Sequence, residues 1–481
     1  MARTGFLRNV VTMSGGAVFS QLIPIAASPI LTRLYGPADY GLLATLVALA
    51  AILSFACTGR YELAIVIADE DKEARALGGL CLAGTAVVCV AGVAAVAGIL
   101  YGWIPGSDAL RQHGQLLYAV PLFAALLAIG QIGNAFAHRE NNYVRMAAGN
   151  IWQQVAGVSV SVAMGLLRFS SVGLIVGRLF GISAFALTFL SNLRSLSPAN
   201  LRSITGAEYS KAAGRHRQFP LYNLPYCIVS NFSRDLLIFA FTLANMLPAA
   251  GFYGLCRMVL QAPIYLLTGS MSQVYYKEAA DQGDTPAFRQ LTWRLMIAVA
   301  VASVPAFGLL AWWAPDAFAV VFGERWREAG HYAAWLAIPV ALHAITCWPG
   351  RLFEARGAQD QMLSVQMKFD ALTVSAVAGA IFWINNPVDV VAVYAFVQVV
   401  FQLCYLWMIF RLCQLSAWQF GMLTGVILVL GCGIVAVGWL SEWISMGKAA
   451  AFGVHALASG IVSAVGVLAV AWSWRQQGSI G

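Results

Sequence analysis

Four arginines stand inside stretches that a hydrocarbon core would accept: Arg60, Arg178, Arg234 and Arg257. A charge at membrane depth is costly unless it meets water or a partner, so each is a functional candidate. Arg60 follows about nineteen apolar residues, with Glu62 two places on. On a continuous helix, i and i+2 point to different faces, so the two should not neutralise each other; snorkelling to the nearer interface is the alternative for Arg60. Arg178 and Arg257 lie about one and a half turns inside the outer ends of their runs, where snorkelling is also open. Arg234-Asp235 sits near the centre of its run and needs either water or an ion pair with a neighbouring helix. Asp370, more than one turn into another run, suits a coupling cation, proton exchange, or a pair with a base on an adjacent helix. Bases outnumber acids at depth. That implies an electropositive interior which concentrates anions, and a guanidinium forks onto phosphate oxygens in particular.

The elements that must hold these groups are helices. Of 481 residues, 60% are apolar and only 10% charged, whereas a soluble domain spends about a quarter on charge. Apolar runs of about 18 to 25 residues match a hydrocarbon core ~30 Å thick. They predict an all-α, polytopic membrane protein with about fourteen transmembrane helices. The runs that bear on the site are 41–66, 172–192, 219–243, 251–275, 362–384 and 389–410. Nineteen Lys and Arg fall on one set of connections, six on the other and four inside runs. This asymmetry predicts cytoplasmic termini.

The longest connection, 193–218, is basic, with Glu208 its only acid. It reads as a cytoplasmic linker lying against anionic lipid headgroups. It separates an N-terminal lobe, 1–192, from a C-terminal lobe, 219–411, and two appended spans fill 412–481. An echo supports two six-helix lobes: Pro37-Ala38-Asp39-Tyr40-Gly41-Leu42 opens one span, and Pro248-Ala249-Ala250-Gly251-Phe252-Tyr253-Gly254-Leu255 opens another.

Several function classes are excluded. No GxxxxGK[ST] loop is present, the six histidines are scattered without metal spacing, and the nine cysteines form no CxxC pair. His343 could titrate near neutral pH. No connection is long enough for a catalytic domain, so no enzyme, catalytic residue, metal site or cofactor is expected. The net charge of +8 is spent on topology, which removes the case for nucleic acid. Tryptophans cluster at span ends, as in an interfacial belt.

The stretch Leu31-Thr32-Arg33-Leu34-Tyr35-Gly36-Pro37-Ala38-Asp39-Tyr40-Gly41, then Thr58-Gly59-Arg60-Tyr61-Glu62-Leu63-Ala64, resembles the N-terminal region of bacterial oligosaccharide flippases. These O-antigen and exopolysaccharide carriers belong to the multidrug, oligosaccharidyl-lipid and polysaccharide exporter superfamily. Gly251-Phe252-Tyr253-Gly254-Leu255-Cys256-Arg257, Pro263 and Gln273-Val274-Tyr275 are similar to a later segment of the same family. The resemblance covers roughly residues 1 to 280. It implies two six-helix lobes with alternating access in the bacterial inner membrane, and an undecaprenyl-pyrophosphate-linked oligosaccharide as cargo. A polysaccharide polymerase and a chain-length regulator are the implied partners.

By motif position, Arg33, Arg60 and Arg257 carry over as headgroup ligands; Arg178 and Arg234 join them from depth alone. Some relatives hold a cation in the C-terminal lobe, which would assign Asp235, Asp370 and Gln398, with Glu62, to coupling by Na+ or H+. A drug or cation antiporter of the same superfamily is the alternative, disfavoured by the arginine excess. A membrane polymerase or ligase is a second, disfavoured by the short outward loops.

Overall fold

The computed structural model describes residues 2–104, 108–283, 285–443 and 448–478, with side chains placed for most of them. The side chains of Gln273 and Val274 lie outside those described. Among the described residues every regular element is helical. Contacts divide the chain into two compact units, Met1–Gly254 and Leu255–Gly481.

In the first unit, α1 (Ala2–Leu34) lies along α6, and α2 (Pro37–Thr58) leads through the short α3 (Glu62–Ile67) into α4 (Asp71–Leu100). Then come α5 (Ala119–Arg139), α6 (Tyr143–Leu166) and α7 (Ser171–Thr188). The chain continues as α8 (Gly206–Arg215), α9 (Leu224–Arg234) and α10 (Leu236–Leu243). Local chemistry places the ends. Pro37 occupies the first turn of α2, where its missing N–H costs nothing. The Asp39 carboxylate accepts the Gly36 N–H at 2.9 Å. Close packing of α6 on α7 needs glycine: a Cβ on Gly181 would lie 2.6 Å from the Gln153 carbonyl oxygen, so only hydrogen fits between these backbones.

The second unit begins within α11 (Leu247–Gln282). It contains α12 (Pro286–Phe322), α13 (Arg327–Thr346), α14 (Gln359–Trp383) and α15 (Pro387–Leu412). The appended pair, α16 (Ala417–Trp443) and α17 (Lys448–Gly478), packs on α12. There, Trp313 donates from Nε1 to His455 Nδ1 at 2.8 Å. The core of this unit gathers Tyr275, Phe288, Trp348, Phe353 and Phe410.

Nine of the described helices are long and apolar enough to cross a membrane, and residues Phe219–Arg234 with Leu236–Leu243, bent by 65°, are so only when taken together. The chain is a multi-pass membrane protein. Of the fourteen expected spans, those on α6 and α13 lie outside that apolar set; α6 carries Asn150, Gln153 and Gln154, and α13 carries His331 and His343, while the expected spans on α1 and α11 include side chains outside the described ones.

Residues 193–218, read from composition as a linker at the lipid surface, pack into the first unit. Leu196, Ile204 and Ala212 join the core formed by Ile65, Leu77 and Phe136. Lys72 bonds Glu208 at 2.5 Å, and Arg215 pairs with Asp69 and Glu73. The Lys72 ammonium, aided by the Thr205 N–H, lowers the Glu208 carboxyl from its ordinary 4.5 to about 2. Because the folded value is depressed, this clamp is complete above about pH 4.5 and is lost as pH falls towards 2. Spin labels on α4 and α8 should report a constant distance from pH 8 down to about 4.5 and a broadened one as pH falls towards 2. A distance that broadens already at pH 6 would show that the Lys72–Glu208 pair is not what holds α8 on α4.

Candidate functional site

The site is built where α2 stops. Gly59 and Arg60 both take left-handed conformations, φ 56° and 63°. For glycine this is free, whereas arginine pays roughly 1–2 kcal/mol, and such strain at a non-glycine residue points to a functional constraint. Two left-handed residues in series break the predicted run 41–66 into α2 and α3. The expectation that Arg60 and Glu62 cannot pair is therefore corrected: the helix is interrupted between them, and Arg60 Nη1 donates to Glu62 Oε1 at 2.8 Å.

Two further contacts fix the guanidinium. Nε donates to Asn223 Oδ1 at 2.9 Å, and Cζ lies 5.1 Å from the centre of the Phe55 ring, within cation–π range. Nη2 bonds no described residue, and 17% of the side chain is exposed. A planar cation held on three sides and open on the fourth can accept an oxyanion without first being ordered.

Asn223 reaches Arg60 because the chain enters α9 through a π-turn, Phe219–Asn223, an irregularity often found at functional sites. From there Asn223, Cys227, Asn231 and Arg234 follow at spacings of four, four and three, on one face of the helix. Asn231 donates from Nδ2 to the Cys227 carbonyl at 2.8 Å, and Arg234 Nη2 donates to Asn231 Oδ1. The stripe ends at the bend. Asp235 is buried, 3% exposed, with Arg234 Nε at 3.9 Å, while the Arg234 side chain is 57% exposed. Broken spans with polar faces at membrane depth recur as transporter binding sites. Arg234-Asp235 thus sits at a helix break, which is why a polar pair is tolerated in the middle of this span.

Arg33 is exposed at the end of α1 and donates to the Pro29 carbonyl at 2.8 Å. Arg178 shares a face of α7 with Ile175 and Ile182, which pack into the core of α2 and α5. Its Nε is buried without a hydrogen-bond partner among the described residues. An unpaired buried cation is a poor stabiliser, so Arg178→Met should leave thermal stability equal or higher, read as Tm in detergent; a clearly lowered Tm would show that the guanidinium is answered in the folded protein.

Arg257 is half-buried on α11 in the second unit. So is Asp370 on α14, which accepts from Gln366 Nε2 at 2.9 Å, and Gln398 is half-buried on α15. Asp235 belongs to the first unit.

Sequence reasoning missed Asn223 and Asn231, although polar residues repeating every four places in an apolar run were the available signal. It also missed Thr346 and Gln402. Thr346 donates to Gln402 Oε1 at 2.6 Å, and Gln402 Nε2 lies 3.3 Å from His343 Nδ1. Among the described residues no three His, Cys, Asp or Glu side chains are grouped to hold a metal ion.

Residues 30–331 match the family described as "Polysaccharide biosynthesis protein", well over half of the chain. The chain belongs to that family. No curated protein matches it significantly. Among solved structures, lipid II flippase MurJ in an inward closed conformation is similar over 97% of this chain and 99% of that one, with 10% identity and a TM-score of 0.70. An inward-facing multidrug resistance MATE family transporter of the MOP superfamily is similar over 82% of this chain and 96% of that one, with 14% identity and a TM-score of 0.57. At these identities the likeness is one of fold. This family member therefore has the architecture of flippases and transporters.

Proposed function

We propose that this member of the polysaccharide biosynthesis family is a flippase that carries an undecaprenyl-pyrophosphate-linked oligosaccharide across the bacterial inner membrane by alternating access. The observation that carries the reading is Arg60, fixed by Glu62, Asn223 and Phe55 with its Nη2 edge open. That is a receptor for phosphate oxygens. The polar face of α9 leads from it towards Arg234, about three helical turns beyond Asn223, where it would meet the sugars rather than the diphosphate. The family supplies the polysaccharide context, and the fold is shared with a protein titled a lipid II flippase. No covalent step is needed. The oligosaccharide is handed to a polymerase on the far side.

Asp235 in the first unit and Asp370 with Gln398 in the second are the proposed coupling groups, for Na+ or H+; Glu62 is given a different part below. Proteoliposomes holding the purified chain should expose an undecaprenyl-pyrophosphate oligosaccharide from the inner leaflet to an external glycosidase faster than empty vesicles do. Imposing a Na+ or a pH gradient in turn identifies the driving ion. Equal exposure with and without protein would overturn the reading.

A further inference from the structure

Glu62 is 4% exposed, yet only one of its oxygens is used. Oε1 accepts from Arg60 at 2.8 Å, while Oε2 is buried without a hydrogen-bond partner among the described residues. A half-satisfied buried carboxylate is expensive. An apolar residue of similar size, with the cation removed as well, would serve stability at least as well. What the carboxylate does achieve is to occupy Nη1 of an arginine whose remaining edge is open.

We infer that Glu62 is a tethered counter-anion: it holds Arg60 in the empty carrier, the headgroup must displace it, and it thereby sets the charge a lipid needs to gain the site. The inference rests on the reading of Arg60 as the headgroup ligand. A bilayer presents anionic phosphodiesters in large excess, and a naked guanidinium near its surface would fill with them. A carboxylate two residues away competes at an effective concentration of millimolar or more. A phosphodiester carries one charge and gains no more at Nη1 than it displaces. A pyrophosphate brings at least two charges and enough oxygens to span Nη1 and Nη2 together, so the exchange favours it. Asn223 and Phe55 hold the guanidinium while its partner at Nη1 changes. The neighbouring Cys81 thiol, which donates to the Thr58 carbonyl at 3.5 Å, supplies no charge to replace Arg60.

The test uses the full chain in phosphatidylcholine nanodiscs with increasing phosphatidylglycerol, and undecaprenyl pyrophosphate as the probe, with Kd read by thermophoresis. Glu62→Gln should bind the probe about tenfold tighter without phosphatidylglycerol, because its Arg60 no longer has an internal competitor. That gain should vanish as phosphatidylglycerol rises, while the wild type changes little. Glu62→Asp, with a shorter reach, should fall between, and it decides the matter where Glu62→Gln does not accumulate in folded form. Variants that bind and respond to phosphatidylglycerol like the wild type would overturn the inference. Arg60→Ala separates the two levels. If it binds the probe normally, the headgroup reading itself fails; if it loses binding while the Glu62 variants behave as wild type, only the counter-anion fails.

Discussion

Arg60→Ala should reduce flipping by roughly ten- to a hundredfold, the loss expected when charge-assisted hydrogen bonds worth about 1.5–3 kcal/mol are removed. In cells the readout is surface polysaccharide at equal carrier abundance. Arg60→Lys should recover only a minor part. It keeps the charge, but it loses the fork and the planar face that Asn223 and Phe55 hold. Removing Arg60 alone also strands Glu62 as an unpaired buried carboxylate. The double variant Arg60→Ala/Glu62→Ala should therefore restore abundance without restoring flipping. Normal polymer with Arg60→Ala at wild-type abundance would remove the central ligand of the proposed site.

Comparable damage is expected at two glycines at the other end of α2. A Cβ on Gly41 would stand 2.0 Å from the Leu247 carbonyl oxygen, and one on Gly251 would stand 1.9 Å from the Pro37 carbonyl oxygen. Both clashes are with backbone, so no rotamer relieves them and the first turns of α2 and α11 must separate. Gly41→Ala or Gly251→Ala should cost about 1–3 kcal/mol, the range for overpacking, seen as a lowered Tm in detergent. Flipping should fall further than stability, because a carrier that alternates must close this crossing in one of its states. Gly254→Ala is the internal control. Its new methyl would meet only Ala44 Cβ at 3.6 Å, an ordinary contact, and it should behave as wild type. If Gly41→Ala is equally silent, the crossing is not tight in the working protein.

The two glycine segments are the halves of the sequence echo, and the structure lays them against each other within the first unit. Repetition was legible from Pro37–Leu42 and Pro248–Leu255, but contact between the copies was not, because similarity of sequence carries no distance. The family was legible in the same way: the motifs from Leu31 to Ala64 and from Gly251 to Arg257 lie inside residues 30–331, the stretch that matches the polysaccharide biosynthesis family. Residues 193–218 show the opposite case. Their charge suggested a segment on lipid, but the apolar members Leu196, Ile204 and Ala212 are what the core takes up, and three residues spread over a basic stretch leave little trace in composition.

The amino-acid sequence alone determined long apolar helices, because hydrocarbon tolerates only backbone that satisfies itself; the expected excess of arginine over acid in the interior is not what the fold buries, since its buried charged side chains include Glu62 and Asp235 and none of the candidate arginines. Which arginines are answered, and by what, only the tertiary structure decided. Arg60 meets Glu62 because two left-handed residues interrupt a helix that apolar periodicity would continue. It meets Asn223 because a π-turn and a bent span bring a residue 163 positions away to its Nε. Hydropathy averages over windows wider than such breaks, and the site is made of the breaks.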